Sequence, residues 1–181
     1  NKKIKNGEIP EEWEKPENKS KLAQKDIDAD WTKKNGERHF GYKDHVKCDA
    51  DSKLITNYSV TSASVHDSQR CLVFIGQEDE VLYADSAYSG KPIALALPEN
   101  CKNQICEKGY RNSPLTSEQK MNNRRKSRIR CRIEHIFVFM TGAMHGITIR
   151  SIGITRAWMN IGITNLVYNF CRYSYLKRAS A

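Results

Sequence analysis

The pattern of hydrophobic and polar positions divides the chain into a polar opening and an ordered remainder. Residues 1–25 are rich in Lys, Glu, Asn and Pro and offer few apolar side chains to bury. This composition predicts a surface loop or linker, with at most a short helix. Residues 26–181 carry the recurring apolar positions and are predicted to form one domain, because 181 residues suffice for one core but not obviously for two.

Two runs in this domain have the composition and pattern of β-strands. They cover residues 39–48 and 54–63, and the polar segment 49–52 between them has the composition of a turn. We therefore predict an antiparallel pair of strands. The dipeptide Asn35-Gly36, just before the first run, predicts a tight turn.

A short apolar run at residues 81–84 lacks strict alternation, which is typical of a strand buried on both faces. The run ends at Asp85. In open α/β sheets, functional groups collect just beyond the carboxyl ends of the strands, so Asp85 is a candidate metal ligand. The alternative is an ordinary turn aspartate that holds the chain reversal through its own backbone.

Two long helices are predicted in the last third of the chain. Thr116 followed by Gln119 has the form of a capping box and predicts the start of the first helix, which we expect Gly142 to end. The apolar stripe of this helix consists of Ile129, Ile133, Ile136 or Phe137, and Met140. The second helix, residues 154–173, is apolar on most of its surface, which predicts a buried helix. Its most apolar part, 161–173, is too short to span a bilayer. The order of elements predicts a mixed α/β domain.

Glu134 lies in the middle of the first predicted helix, beside its apolar stripe. Arg130 stands four residues earlier, on the same side of the helix. One interpretation is a surface ion pair worth a few tenths of a kcal/mol. The other is a carboxylate directed into a cleft, with Arg130 steering it or holding a phosphate.

Asp85 and Glu134 could serve phosphodiester cleavage if they bind metal ions together. Phosphodiester cleavage needs an aligned nucleophile and positive charge on the phosphate, and two Mg²⁺ ions held roughly 3.5–4 Å apart supply both. Magnesium prefers oxygen ligands, so carboxylates from different elements must converge on it. Two ions usually need a third carboxylate as well.

The charge balance favours a polyanionic partner. The chain has 30 Lys and Arg against 21 Asp and Glu, for a net charge of +9. A cation laid against a phosphate releases a condensed counterion, which favours nucleic-acid binding. The candidate DNA-backbone contacts on the first long helix are Lys120, Arg124, Arg125, Lys126, Arg128, Arg130 and Arg132. The alternative is a solvated basic helix face.

The remaining candidate groups are histidine and cysteine side chains. The pair His66-Asp67 follows the second predicted strand; His66 could orient a ligand or a water, or the pair could only cap a turn. The six cysteines form no close pairs, which argues against a zinc ribbon and against a secreted disulfide framework.

Five segments of the chain occur together in an order that is more specific than any of them alone. They are residues 39–47, 61–68, 81–90, 106–111 and 130–137. In this order they resemble segments of the DDE transposases of bacterial insertion sequences, in the large IS4-like superfamily. Residues 81–90 resemble the second catalytic segment of that family and residues 130–137 the third.

The resemblance covers about residues 24–175 and implies a ribonuclease-H-like fold, a mixed sheet flanked by helices. It implies hydrolysis at transposon ends with two Mg²⁺ ions, followed by joining of the 3′ hydroxyl to double-stranded target DNA. Asp85 and Glu134 would take the second and third acidic roles, as catalytic and metal-binding residues. Arg130 fits the arginine of the family's Tyr-Arg-Glu-Lys signature. The family further implies a homodimer in the complete protein and a bacterial cytoplasmic location at the nucleoid, away from membranes.

This chain departs from the family pattern in two ways. The tyrosine and lysine of the signature fall at Ser127 and Thr141, so both are missing. The first catalytic aspartate, on the first central strand of the family's sheet, has no substitute either, because that strand should precede the polar opening. We therefore expect residues 26–181 to be a partial catalytic domain, a fragment that is inert alone. The alternatives are a non-enzymatic DNA-binding remnant and a nuclease of the same fold without strand transfer.

Overall fold

A computed structural model describes residues 2–6, 8–34 and 36–180 of the chain. The strands are β1 (Asp30–Lys34), β2 (Glu37–Cys48), β3 (Ile55–Ser62), β4 (Val81–Leu82) and β5 (Lys102–Asn103). The helices are α1 (Lys2–Lys5), α2 (Glu11–Glu14), α3 (Lys19–Ala23), α4 (Ser68–Phe74), α5 (Lys91–Ala96), α6 (Ser117–Arg130), α7 (Arg132–Gly142) and α8 (Ile154–Ala179). The predicted mixed α/β class is confirmed.

Strands β1, β2 and β3 form an antiparallel sheet in that order. The predicted pair is confirmed, with Lys43 opposite Thr61 and Asp44 opposite Val60. Strand β1 was not predicted; it pairs with the first part of β2. The turn predicted at Asn35-Gly36 involves Asn35, which lies outside the described residues, whereas Gly36 has a φ of +88° that suits a tight turn.

The side chains of β2 point alternately to the two faces of the sheet. Tyr42 and Val46 pack into the apolar clusters shared with α8, and Asp44 meets Asn165 of that helix. The intervening residues point to the other face of the sheet, as the pleat requires. There, the Lys43 ammonium lies 3.4 Å from the Asp67 carboxylate. This polar face, rather than the apolar one, is where candidate chemistry is found.

Strands β4 and β5 form a separate, parallel two-stranded sheet. The backbone carbonyls of Glu80, Leu82 and Ala84 accept hydrogen bonds from the β5 segment. Backbone groups alternate in direction along a strand, so those of Val81 and Tyr83 point to the opposite edge. The predicted strand at 81–84 is therefore shorter than expected, and Val81 and Leu82 are half-buried rather than buried on both faces.

The single long helix predicted from Thr116 to Gly142 is wrong, because it is interrupted at Cys131. The capping box at its start is confirmed: the Gln119 amide N–H donates to Thr116 Oγ1 at 3.2 Å, and the Thr116 N–H donates to Gln119 Oε1 at 2.9 Å. A tertiary contact lies directly after the interruption. The Arg132 guanidinium donates to the Ala50 carbonyl at 2.6 Å, which ties the start of α7 to the β2–β3 turn.

Helix α8 supplies the centre of the core with only one of its faces. Ala157, Ile161, Asn165 and Tyr168 are buried, and they pack with α7 and β3. The prediction of a helix buried all round is wrong, because its opposite face is open to solvent. No helix among the described residues combines the length and apolar character needed to cross a membrane.

Candidate functional site

Asp85 follows β4 and caps a short 3₁₀ turn formed by Ser86–Tyr88. Its Oδ1 accepts hydrogen bonds from the Ala87 amide at 3.3 Å and the Ser86 hydroxyl at 3.1 Å. The carboxyl group is exposed. Asp85 thus performs the turn role that the sequence allowed, and its exposed carboxylate is still open to a further ligand.

Glu134 lies in the first turn of α7, not in the middle of a continuous helix. Its Oε1 accepts a hydrogen bond from Arg130 Nη2 at 2.8 Å. The side chain is 56% exposed, so this pair is screened by solvent. Position in the first turn favours a negative charge, because the N-terminal amides of a helix carry partial positive charge. The ion pair predicted from spacing is present, and it crosses the junction between α6 and α7.

Tyr88 is the residue that connects these elements. Burial, the Asp67 carboxylate, Cys71 and the Asp85 carboxylate raise the pKa of its hydroxyl and the Arg130 guanidinium lowers it, with the net result that the pKa is about 12. Asp67, Asp85 and Arg130 therefore all act electrostatically on one hydroxyl. Glu134 reaches the group through Arg130. The sequence provided no reason to single out Tyr88.

Asp67 belongs to the His66-Asp67 pair that the sequence offered as a possible part of the site or as a turn cap. Its Oδ1 lies 3.4 Å from Lys43 Nζ and 3.5 Å from His45 Nδ1. The other ring nitrogen of His45, Nε2, lies 2.8 Å from Thr61 Oγ1. Burial lowers the pKa of His45, against the opposing effect of Asp67. This network anchors the loop after β3 to the polar face of the sheet.

His66, by contrast, serves the local turn. Its Nδ1 lies 2.8 Å from the Ser68 hydroxyl and accepts a hydrogen bond from the Ser68 amide at 3.3 Å. These contacts match the capping alternative drawn from the sequence. A role for His66 in orienting a metal ligand stays a prediction.

The donor set at the site suits a hard divalent cation but is small. Asp85 and Glu134 offer carboxylate oxygens, which Mg²⁺ prefers. Among residues 2–6, 8–34 and 36–180, no group of three His, Cys, Asp or Glu side chains is arranged to hold a metal ion. Asp67, Asp85 and Glu134 therefore do not form, within these residues, the two-ion arrangement that the sequence led us to expect.

The candidate DNA contacts on α6 fall into two groups. Arg124, Arg125 and Arg128 are exposed. Lys126 has only 16% of its side chain exposed and is engaged by the protein itself: its Nζ donates to the Ile105 carbonyl at 3.0 Å and lies 3.7 Å from Glu107 Oε1. These three arginines and the exposed Lys120 therefore remain as an open basic surface on this helix.

Together these features define an α/β protein. Between Asp85 and Glu134 it has an exposed aspartate at the end of a strand, a basic helix, and a helix glutamate paired with an arginine. The model of the family described as the transposase DDE domain matches residues 12–170, and the chain belongs to that family.

The chain is also similar to a transposase for insertion sequence element IS1106 of Neisseria meningitidis serogroup B. The two are 32% identical over 124 residues. This alignment covers 67% of the chain and 41% of the relative, so the chain spans less than half the length of that protein. No solved structure matches the chain.

Proposed function

We propose that the chain is part of an enzyme that cleaves transposon DNA ends in a metal-dependent reaction and transfers the strand to target DNA. The observation that carries this proposal is that Asp85 and Arg130, the ion-pair partner of Glu134, both act electrostatically on Tyr88, in a chain that belongs to the transposase DDE family.

In the complete protein, Asp85 and Glu134 would bind Mg²⁺, which supplies charge neutralisation and activation of the attacking oxygen at the phosphate. Arg130 holds the Glu134 carboxylate. A cation bound to Glu134 would leave the Arg130 guanidinium free, and its fork of donors would match a phosphate group. The exposed arginines of α6 contact the DNA backbone and position the duplex.

The chain alone is expected to be incomplete and inactive. Among the described residues, no three carboxylates are arranged to hold a metal ion, and the outward edge of β4 presents the backbone groups of Val81 and Tyr83. An unpaired edge next to Asp85 is suited to one further strand. A strand there would carry an aspartate close to Asp85, enlarge the sheet and give the ribonuclease-H-like arrangement that the family resemblance implies.

A cleavage assay with Mg²⁺ and a matched transposon end tests this proposal. We expect no cleavage by the chain alone, and metal-dependent cleavage by the chain extended with an upstream strand that ends in aspartate. In the extended protein, Asp85→Asn or Glu134→Gln should abolish cleavage, whereas the exposed-site control Asp51→Asn should retain it. Robust cleavage by the 181-residue chain alone would refute the incompleteness, and cleavage by the extended Glu134→Gln variant would refute the site.

A DNA-binding remnant without turnover is the second candidate, and the exposed arginines of α6 favour it. It predicts salt-dependent duplex binding in the absence of Mg²⁺. Replacing Arg124, Arg125 and Arg128 together by alanine should weaken binding and flatten its salt dependence, because fewer counterions are released. The control variant replaces three other exposed arginines by alanine, at positions 38, 111 and 156. It removes the same total charge from other parts of the surface. Equal losses in the two triple variants would exclude a specific role for α6.

The remaining family expectations also belong to this proposal. The complete protein acts as a homodimer on double-stranded DNA in the bacterial cytoplasm, at the nucleoid. A nuclease of the same fold would cleave the same ends but leave no joined product, so strand-transfer products separate the two activities.

A further inference from the structure

Helix α8 carries a second apolar stripe on the side that faces solvent. Met159, Ile163, Leu166, Phe170 and Tyr173 are 63%, 59%, 53%, 62% and 53% exposed, respectively. At about 100° per residue, they lie roughly 125–205° around the helix from the centre of the buried stripe formed by Ala157, Ile161, Asn165 and Tyr168. Isolated exposed apolar residues are ordinary, but a continuous stripe on one helix marks an interaction surface.

The spacing of this stripe indicates what kind of element covers it. Successive members are separated by four, three, four and three residues. This 3.5-residue repeat is the seam of a coiled coil, in which apolar side chains of one helix insert between those of another. A broad apolar groove or a lipid surface does not require such regular spacing. The occupant is therefore an α-helix.

The charge distribution of the chain indicates which helix packs on this stripe. The chain carries a net charge of +9, so two copies repel each other over most of their surfaces. Between Arg156 and Arg172, however, α8 has no charged residue on any face. A second copy can approach the stripe from Met159 to Phe170 without burying a charge, and the Lys177 ammonium lies only over its last member, 5.8 Å from the centre of the Tyr173 ring. The same stripe on both copies is self-complementary, as a two-fold symmetric dimer demands.

The area is sufficient for such a contact. The apolar surface extends beyond the five stripe residues, because Trp158 and Val167 flank them and are 41% and 42% exposed, respectively. At roughly 100 Å² of exposed area per large side chain, the surface approaches the ~800 Å² per partner of a stable interface.

We propose that the outer face of α8 is a homodimer interface, in which the stripe Met159–Ile163–Leu166–Phe170–Tyr173 packs against the same stripe of a second copy. This interface gives a location to the homodimer of the proposed function, but its observations concern α8 alone. Its test therefore needs neither DNA nor metal, and its failure would leave the cleavage proposal intact.

Sedimentation equilibrium of the 181-residue chain in EDTA tests the interface. We expect a dimer at tens of micromolar and at least ~100-fold weaker dimerisation for the double variant Ile163→Glu/Phe170→Glu, because interface anchors each contribute about 2 kcal/mol or more. The matched control is Val73→Glu/Leu95→Glu, which places the same charges on exposed apolar positions of α4 and α5. The control should dimerise like the unmodified chain. Monomers of the unmodified chain at 100 μM, or equal dimerisation of both double variants, would overturn the proposal.

A cysteine cross-link provides a second test that does not depend on the folding of charged variants. Leu166 is the middle residue of the stripe, so it meets its counterpart in either direction of packing. In a Cys171→Ser background, which removes an exposed thiol, oxidised Leu166→Cys should give a covalent dimer. The exposed control Leu95→Cys should stay mainly monomeric. A monomeric Leu166→Cys protein would show that another helix, from a different protein or a longer chain, occupies this face and would overturn self-association.

Discussion

Replacing Asp44 by asparagine is expected to stabilise the protein at neutral pH. Asp44 lies between the β2–β3 sheet and α8, where its Oδ1 accepts a hydrogen bond from Asn165 Nδ2 at 3.3 Å. The second carboxyl oxygen, Oδ2, and the Asn165 Oδ1 are both buried without a hydrogen-bond partner in the described part of the chain. Both are acceptors when Asp44 is ionised. A proton on Asp44, or the amide of an asparagine, supplies the donor that this pair lacks.

The magnitude and sign follow from the raised pKa of Asp44. Burial raises it from 3.8 to about 6, and the Asn165 hydrogen bond only partly opposes this. The folded protein therefore keeps a proton that the unfolded chain releases between these two values. Asp44 consequently lowers stability as the pH rises from about 4 to 6, and the loss stays constant above that range. At 1.36 kcal/mol per pKa unit, the loss is about 3 kcal/mol.

Urea unfolding followed by tryptophan fluorescence, at pH values from 4 to 8, measures this effect. The difference in unfolding free energy between Asp44→Asn and the unmodified protein should grow by about 3 kcal/mol across the window, in favour of the variant. Asp51→Asn is the matched control, because the Asp51 side chain is 98% exposed; it should show a difference under ~0.5 kcal/mol at every pH. Parallel curves for Asp44→Asn and the unmodified protein would refute the reasoning.

Three further predictions concern packing, capping and backbone conformation. Ile136 is fully buried, so Ile136→Ala should lower the free energy of unfolding in urea by about 2–5 kcal/mol; a loss below 1 kcal/mol would contradict its central place in the core. Thr116→Ala removes the hydroxyl that caps α6 and should cost about 1 kcal/mol, with circular dichroism showing less helix; an unchanged protein would mean that the Gln119 side chain caps the helix alone. Gly153 has a φ of +96° and its amide donates to Asp26, so Gly153→Ala should cost on the order of 1 kcal/mol or more in thermal unfolding; a rise in the midpoint would show that the backbone can relax there.

The elements that the sequence predicted well are those defined by local chemistry. The antiparallel pair β2–β3 follows from two β-patterned runs and a polar turn, and the start of α6 follows from the Thr116–Gln119 capping box. Each of these signals lies within a few residues. No distant partner is needed to produce it.

The break between α6 and α7 could not be predicted in this way. Position 131 has neither glycine nor proline, so local propensity favours one continuous helix. The break coincides with the attachment of Arg132 to Ala50, a contact between residues 82 positions apart. Only the folded chain brings them together.

The candidate site was predicted through resemblance rather than through physical reasoning. Spacing alone suggested turn and ion-pair roles for Asp85 and Glu134, and both of those contacts are present. Tyr88 and Asp67 complete the neighbourhood, but their relation to Arg130 depends on how α6 packs near the turn after β4. Such long-range placement has no periodic signature in a single sequence.

The interruption at Cys131 also separates two helices that should differ in how readily they unfold locally in solution. Helix α6 contains no buried residue, whereas α7 is anchored by Ile136 and Met140. Local opening costs least where few apolar side chains are buried, so amide hydrogens of α6 should exchange with deuterium much faster than those of α7. The protection boundary should fall at residue 131, within one stretch of nearly continuous helix. Glu134 would then stand on the slowly exchanging side, and the arginines proposed to contact DNA on the side that unfolds and refolds readily.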